Sequence, residues 1–337
     1  MTLATKPEDI SDIAFGFMGS KALFAGLQHR VFTHLADGPA TAEDLARKSG
    51  LHPDRAETLM TALAGLGLLT VDDGRFSNAP ASEAFLVRGA KHDFGEYLRL
   101  QVGRQMYTLL DQIEPALSGD LPEDATASYE DWFSDPAEAR LYSESQHAGS
   151  LGPARQLTKM VDLSGARTLL DVGGGTGAFA ITLCRKTPQL TATIVDFPNV
   201  AALGRRYVDE AGLGDRISYV EGNALETEWP AQQDAILMSY LLSGVPGEAH
   251  EELIARALDH LAPGGQLMIH DFIVRADRSG PKLAALWQLQ HTAFTPEARS
   301  ADDETLRDAL REAGFEDVRS GQMIPEMTML VTGRKPG

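Results

Sequence analysis

The second half of the chain alternates short apolar runs with stretches of helical periodicity. The apolar runs have the length and composition of buried strands, and they fall at 168–170, 191–195, 217–220, 234–240 and 266–269. A helical pattern follows the first run, from 178 to 186. Two final runs, 318–324 and 327–332, have the spacing of an antiparallel strand pair. This half is therefore predicted to form an α/β domain around a doubly wound sheet.

The first half is predicted to be mainly helical. Apolar side chains recur on one face of the segment 10–35, at Ile13, Phe17, Leu23, Leu27 and Phe32. Thr41 precedes a short helix and Asp44 follows three residues later, which is a variant of the capping box. A second helix is predicted at 54–66, and a hairpin over 68–77 turns at Asp72-Asp73-Gly74. Two helices followed by a hairpin form a winged-helix pattern.

A linking segment joins the two halves. The stretch 94–117 is amphipathic and predicted to be helical, and 122–128 is a polar, acidic break. A long helix is predicted from 136 to about 160.

Composition excludes several classes of function. The 337 residues include 30 basic and 48 acidic side chains, which gives a formal net charge of −18. This charge argues against nucleic acid as a partner, because phosphate binding requires a basic surface. No apolar run approaches the roughly 18–20 residues of a membrane span, so no membrane partner is expected. The N-terminal residues lack the pattern of a signal peptide, and the single Cys184 is predicted to pack in a core. These features favour a cytoplasmic protein.

A glycine-rich loop follows the first predicted strand. It reads Asp171-Val172-Gly173-Gly174-Gly175-Thr176-Gly177. Glycine allows a ligand to approach the backbone, and the helix that follows directs its N-terminal amides to the same place. Strand, glycine loop and helix together predict a nucleotide-binding site, although a tight turn without a ligand remains an alternative.

Polar residues also end the next two predicted strands. Asp196 lies about 20 residues beyond the loop, where a carboxylate can accept hydrogen bonds from both ribose hydroxyls. The third strand is followed by Gly222, Asn223 and Ala224, and the polar side chain there is predicted to contact an adenine edge.

These motifs resemble those of the class I S-adenosylmethionine-dependent methyltransferases. More narrowly, 171–177, Asp196-Phe197-Pro198 and Gly222-Asn223 resemble the small-molecule O-methyltransferases that include the plant phenolic and acetylserotonin enzymes. That family has D-x-G-G-G-x-G, then D-L-P, then G-D, so Asn223 replaces the usual Asp.

The resemblance implies a domain organisation and a homodimer. It implies a winged-helix dimerisation domain at 1–120, linking and substrate-facing helices at 121–160, and a Rossmann-like catalytic domain at 161–337. In the family, the N-terminal domain forms the homodimer and covers the partner's active site. The acceptor is a small molecule.

The resemblance also implies a cofactor site. S-adenosylmethionine, which becomes S-adenosylhomocysteine, is expected over the glycine loop with its methionine end toward Asp171. The residues assigned to it are Asp171, Gly173, Gly175, Asp196, Phe197, Asn223, Ala224 and Ser239.

The family's catalytic base is missing from its expected place. In the family a His follows the fourth strand, whereas Ser243 stands at that position within 240–246. A serine hydroxyl is too weakly basic to act as a general base. Asp271 fits the position of a family Glu that orients the base, but here it has no evident group to orient. The next histidine, His250, is predicted to face solvent.

Two explanations of the missing base remain open. In one, another group deprotonates the acceptor; Tyr142 and His147 on the 136–160 helix are the candidates, and a rate that rises through a pKa near 7 would indicate the histidine. In the other, the acceptor carries no acidic proton. Methylation of a thioether, a ring carbon or a neutral amine fits that case.

The thioether alternative is the more specific one. The missing His and the segment 12–16 are most similar to the S-methyltransferases that act on 4-methylthio-2-hydroxybutyrate in dimethylsulfoniopropionate synthesis. A hydroxy acid would require a cation for its carboxylate. The candidate cations are Arg104, Arg140 and Arg299, and the candidate aromatic walls for a sulfonium are Trp132, Tyr142, Tyr240, Trp287 and Phe294.

Two other classes of function compete with methyl transfer. A DNA-binding regulator would use the winged helix, but the acidic chain predicts no retention on heparin. A dehydrogenase would bind NAD at the glycine loop. Calorimetry with NAD and with S-adenosylmethionine distinguishes this alternative from methyl transfer.

Replacing Asp196 with alanine tests the cofactor site. We expect the Kd for S-adenosylmethionine to rise at least about tenfold, because two charge-assisted hydrogen bonds of ~1.5–3 kcal/mol each are lost. Isothermal calorimetry measures it, and an unchanged Kd would contradict the assignment.

Overall fold

The computed structural model describes residues 3–121, 128–293, 295, 297–299 and 301–337. Phe294 and all but the last residue of the acidic break predicted at 122–128 lie outside this described part. The chain divides into two compact units, Thr2–Thr108 and Leu109–Gly337.

The N-terminal unit contains the predicted helices and hairpin. Its helices are α1 Pro7–Ala14, α2 Gly16–Gln28, α3 Val31–Leu35, α4 Ala42–Ser49, α5 Pro53–Gly65 and α6 Pro80–Phe85, and its strands are β1 Leu69–Asp72 and β2 Arg75–Asn78. The capping box of α4 forms as predicted, since the Asp44 amide donates to the Thr41 hydroxyl and the Thr41 amide donates to the Asp44 carboxylate. A buried cluster centred on Phe32, Leu45 and Met60 holds the unit together.

The apolar face predicted for 10–35 is confirmed only in its second part, where Leu27 and Phe32 are buried and Leu23 packs against the same cluster. Three helices occupy that segment, and α1 and α2 meet at a bend of 41° where Phe15 ends one helix and begins the next. Gly16 starts α2, and a glycine weakens a continuous helix at that point. Ile13 is 72% exposed and Phe17 is 51% exposed, so the first part of the face lies on the surface of this unit.

The amphipathic segment predicted at 94–117 is helical but irregular. It consists of a π-helix Tyr97–Met106, a short turn α7 Tyr107–Leu109, a 3₁₀ turn Leu110–Gln112 and α8 Ile113–Ser118. Gly103 makes close packing possible, because a Cβ there would lie 2.8 Å from the ring of Phe24. Pro115 lies in the first turn of α8, where its missing N–H costs nothing.

Within the described part of the chain, no single helix has the length and apolar character needed to cross a bilayer. The bent pair of α1 and α2 meets those two criteria when its members are taken together.

The C-terminal unit is a seven-stranded sheet with helices around it, as the sequence pattern predicts. Its strands are β3 Thr168–Val172, β4 Thr191–Asp196, β5 Ile217–Glu221, β6 Gln233–Ser239, β7 Leu261–Asp271, β8 Glu316–Ile324 and β9 Thr328–Arg334. They lie in the order β5-β4-β3-β6-β7-β9-β8, and only the pairings of β9 are antiparallel.

The helices of this unit include the two whose bounds the sequence predicts. They are α9 Tyr129–Ser134, α10 Pro136–Met160, α11 Ala178–Lys186, α12 Pro198–Glu210, α13 Ala249–His260, α14 Lys282–His291 and α15 Asp303–Ala313. The long helix predicted from 136 to about 160 and the helix predicted at 178–186 are both confirmed.

The connections place a crevice at the centre of the sheet. The chain runs outward from β3 through β4 to β5 and then returns to β6, so the direction of winding reverses between β3 and β6. Ligands of doubly wound proteins bind beyond the carboxyl ends of the strands at such a point. Leu170 and Ile236, both fully buried on these two strands, fix the sheet beneath the crevice.

The exposed apolar residues of α1 and α2 generate a prediction about assembly. Replacing both Ile13 and Phe17 with aspartate should convert the expected homodimer to monomers, because an apolar surface that is buried between subunits would become charged. Light scattering after size exclusion measures the mass. Leu117→Asp, at a 64% exposed position of the other unit, is the matched control and should remain dimeric. An unchanged mass of the double variant would contradict the prediction.

Candidate active site

Polar residues from several strand ends line one cavity of about 300 Å³. It lies at the carboxyl ends of β3, β4 and β6, where the fold predicts a ligand. The glycine loop, α9, α10 and the segment 239–246 contribute to its walls.

Asp171 is the most unusual group of this cavity. It is fully buried, and neither oxygen of its carboxyl has a hydrogen-bond partner in good geometry. Burial, followed by the neighbouring carboxylate of Asp196, raises the pKa of Asp171 to about 7. A buried carboxyl without partners is unfavourable unless a ligand supplies a donor or a cation.

Gly175 is held by side chains from two neighbouring strands. Its N–H donates to Oδ2 of Asp196 at 2.7 Å, and its carbonyl accepts a hydrogen bond from the Tyr219 hydroxyl at 3.0 Å. The other carboxylate oxygen of Asp196 accepts the backbone N–H of Phe197 at 2.8 Å. Burial raises the pKa of Asp196 to about 6, and the two backbone N–H groups oppose that shift.

The loop itself leaves room for a ligand. Gly175 has φ +60° and no atom within 4 Å of where its Cβ would lie, so open space adjoins this backbone. A Cβ at Gly174 would instead lie 2.6 Å from the Asp171 carboxyl carbon. Open backbone and buried carboxyls fit S-adenosylmethionine, whose hydroxyls and ammonium are donors. Asp171, Asp196 and the glycine loop are the residues that would hold it.

The remaining predicted cofactor residues also line the cavity, and two of their side chains have partners. Nδ2 of Asn223 donates to Glu130 at 2.9 Å, and its Oδ1 accepts the Leu225 N–H at 3.0 Å. The Ser239 hydroxyl lies 2.8 Å from Nδ1 of the buried His270. Gly173, Phe197 and Ala224 line the same cavity. The adenine contact of Asn223 stays a prediction.

His147 reaches the cavity beside the glycine loop. Its Nδ1 lies 2.7 Å from the Thr176 hydroxyl, and its ring stacks on Tyr207 at 4.0 Å. Burial lowers the pKa of His147 to about 4, so the ring is neutral at physiological pH. A rate that rises through a pKa near 7 would therefore not indicate this histidine.

The predicted aromatic residues divide into two groups. Tyr142 and Tyr240 line the cavity. Trp132 packs against Tyr142 with ring centroids 5.2 Å apart, and Trp287 stacks on Phe272 at 4.2 Å; neither tryptophan lines the cavity wall.

The prediction that His250 faces solvent is wrong. His250 is partly buried, its Nε2 lies 2.8 Å from the Leu242 carbonyl, and burial lowers its pKa. Asp271 holds the backbone rather than a base, because its Oδ2 accepts the Ser243 N–H at 3.0 Å. Burial raises the pKa of Asp271. Ser243 lines a separate small cleft with Asp271 rather than the main cavity.

None of the predicted arginines lies on the cavity wall. Arg104 is exposed in the N-terminal unit, Arg140 pairs with Glu144 on the surface of α10, and Arg299 lies 3.8 Å from Glu248. Among the described residues, no Arg or Lys lines the cavity, whereas Asp171, Asp196 and Glu130 do. No group of three or more potential metal ligands occurs in the described part either.

Two further residues were not identified from the sequence. Tyr129, the first residue of α9, lines the cavity, and the fully buried His291 lies behind it at the end of α14. The dense aromatic stretch from Tyr129 to Phe133 was the available signal for the first. No local signal marks His291, because its neighbour is distant in sequence.

Family models match most of the chain. A model described as an O-methyltransferase domain matches residues 124–316, and one described as an O-methyltransferase dimerisation domain matches residues 11–88.

Known proteins resemble the chain over nearly its full length. The 3-hydroxy-5-methyl-1-naphthoate 3-O-methyltransferase of Streptomyces sahachiroi is 33% identical over 315 residues, which cover 93% of this chain and 91% of that protein. The N,N-dimethyltransferase OxyT of Streptomyces rimosus is 30% identical over 324 residues, or 94% and 93% of the two chains. Human N-acetylserotonin methyltransferase, solved in complex with its methyl donor, matches the fold with a TM-score of 0.86 at 21% identity and full coverage of both chains.

The unpartnered carboxyl of Asp171 generates a prediction. Asp171→Asn should raise the Kd for S-adenosylmethionine about tenfold or more, because a charge-assisted interaction worth ~1.5–3 kcal/mol is removed. Calorimetry at pH 8 measures it, and an unchanged Kd would show that the donor binds elsewhere.

The same variant should change the pH dependence of stability. The pKa of this carboxyl is raised to about 7 in the folded protein. Its contribution to the free energy of unfolding is therefore fully present below the pKa of the unfolded state, and it is lost as the pH rises to 7. The Tm of ligand-free Asp171→Asn, measured relative to that of the ligand-free wild type, should therefore increase from pH 5 to pH 8.

Proposed function

The chain belongs to the O-methyltransferase family and is an S-adenosylmethionine-dependent methyltransferase, and within that family we propose that it methylates a hydroxyl group of a small, uncharged aromatic acceptor. The character of the cavity carries this proposal. Its walls hold Tyr129, Phe133, Tyr142 and Tyr240, which suit a planar ring.

The charges around the cavity restrict the acceptor further. Asp171, Asp196 and Glu130 are acidic, and no cation among the described residues lines the wall. A buried carboxylate without a cation is costly, which disfavours an anionic acceptor. The relative named for 3-O-methylation of a hydroxynaphthoate supports transfer to a hydroxyl on an aromatic ring. That acceptor also carries a carboxylate, so the uncharged character proposed here rests on the cavity alone.

The residues of the chain would bind the methyl donor, orient the acceptor and exclude water from it. When bound, S-adenosylmethionine supplies an electrophilic methyl group on a sulfonium. Asp171 and Asp196 would hold its positive and hydroxyl-bearing parts, and the aromatic walls would exclude water from the acceptor. Proximity and orientation of this kind account for most of the rate in such a displacement, and the acceptor's proton must also be removed.

Methylation of a thioether is the second candidate. The observation that favours it is Ser243, which stands where the family has its base and whose cleft is separate from the main cavity. Aromatic walls also suit a sulfonium product through cation–π attraction. The relatives do not support this candidate, and a hydroxy-acid thioether would bring an uncompensated carboxylate into an acidic cavity.

A comparison of acceptors tests the proposal. With labelled S-adenosylmethionine at saturation, we expect methyl transfer to catechol or 2-naphthol to exceed transfer to 4-methylthio-2-hydroxybutyrate at least about a hundredfold, since an unpaired buried charge costs several kcal/mol. The rate with catechol should be flat between pH 6 and 7.5, because the buried histidines of the site are already neutral there.

Two controls accompany this assay. Anisole, which lacks a hydroxyl, should accept no methyl group, and omission of enzyme gives the background. Preferred transfer to the thioether would overturn the proposal in favour of the second candidate.

A further inference from the structure

We propose that Tyr129 and His291 form the proton-accepting pair of this enzyme, with the Tyr129 hydroxyl facing the acceptor and His291 receiving the proton through it. This inference rests on the proposed transfer to a hydroxyl, because a thioether has no proton to remove. It places the base on two residues that the family motif does not contain.

Tyr129 is built into the cavity wall by the start of α9. Ser128 caps that helix by accepting the Asp131 N–H at 3.0 Å, which orients the first turn. The Tyr129 hydroxyl lies 3.4 Å from the Tyr142 hydroxyl and 3.5 Å from Nε2 of His291. Both distances are at the long end of the hydrogen-bond range, and proton transfer would require closer approach.

The surroundings of His291 determine which ring nitrogen accepts. His291 is the last residue of α14, and its Nδ1 lies 3.0 Å from the carbonyl of Trp287. A carbonyl only accepts, so Nδ1 carries the hydrogen and Nε2 presents its lone pair toward Tyr129. Burial lowers the pKa of His291 to about 4, which keeps that lone pair available at physiological pH.

Small residues at 243 and 244 make room for this pair. A Cβ at Gly244 would lie 2.6 Å from Cε2 of Tyr129, so a larger residue there would displace the ring. Ser243, Asp271 and His291 line the same small cleft. Position 243 carries no histidine side chain, but His291 contributes one to the lining of the same cleft.

His147 has a different environment. It is bonded to Thr176 of the glycine loop and stacked on Tyr207, which assigns it to the surroundings of the cofactor. The Tyr129 hydroxyl, by contrast, has a neutral imidazole behind it and a second phenol beside it.

The proton transfer balances without another reactant. The acceptor hydroxyl gives its proton to the Tyr129 oxygen while the Tyr129 proton passes to Nε2 of His291. The acceptor oxygen forms one C–O bond as one C–S bond breaks, and His291 is left as an imidazolium. Its proton returns through Tyr129 to solvent when the product leaves.

Two acceptors that differ in acidity test the pair. Catechol is un-ionised at pH 7.5 and requires a base. A dinitrocatechol is already an aryloxide there and requires none, and its charge, unlike that of a remote carboxylate, lies on the reacting oxygen, where the sulfonium of the methyl donor pairs with it. Tyr129→Phe and His291→Gln should each lower kcat with catechol about a hundredfold, the usual contribution of a general base, and change kcat with dinitrocatechol less than about threefold. KM for S-adenosylmethionine should not change, and the double variant should lose no more than either single one.

Matched controls separate this effect from a structural one. His260 ends α13 and places its Nδ1 2.8 Å from the Arg256 carbonyl, which copies the local geometry of His291 away from the cavity. His260→Gln and Tyr107→Phe should leave both rates unchanged. His147→Gln tests the rival base with the same two acceptors.

The following outcomes would each overturn the proposed proton-accepting pair. Equal losses with both acceptors, or a selective loss only in His147→Gln, would overturn the pair while transfer to a hydroxyl stands. A wild-type enzyme that methylates the thioether and neither catechol would overturn the proposed function and the pair together.

Discussion

The site depends on how the backbone of one residue in the glycine loop is held. Gly175 cannot be anchored by a side chain of its own, so its N–H is fixed by Asp196 from β4 and its carbonyl by Tyr219 from β5. Gly204 on α12 makes the second bond possible, because a Cβ there would lie 2.0 Å from the Tyr219 hydroxyl oxygen. The order of β3, β4 and β5 in the sheet therefore sets the shape of the loop directly.

The features that the sequence predicts well are those that depend on local pattern. The strands of the sheet, the helix after the glycine loop and the capping box at Thr41 each follow from periodicity or from residues three or four positions apart. The meeting of Asp171 and Asp196 at one cavity is also predictable, because parallel strands end at one edge of a sheet. Their contact with the cofactor stays a prediction. Their assignment gains from a family resemblance that covers most of the chain.

The features that the sequence does not reveal depend on contacts between distant segments. The bend at Phe15 and the π-helix at 97–106 depend on packing contacts that the periodicity of the sequence does not indicate. Polar side chains such as those of His250 and Asp271 usually lie at the surface. Only the fold shows that each of these two contacts a backbone group. Tyr129 and His291 are 162 positions apart, so nothing in either local sequence indicates the other.

The buried carboxyls also make donor binding a proton-releasing event. At neutral pH, Asp171 in the ligand-free protein is divided between its protonated and ionised forms, since its pKa is raised to about 7. A cationic ligand selects the ionised form and sends the displaced proton to the buffer. The heat of mixing measured in phosphate will therefore differ from that in Tris by the ionisation enthalpy of the buffer, although the affinity is the same.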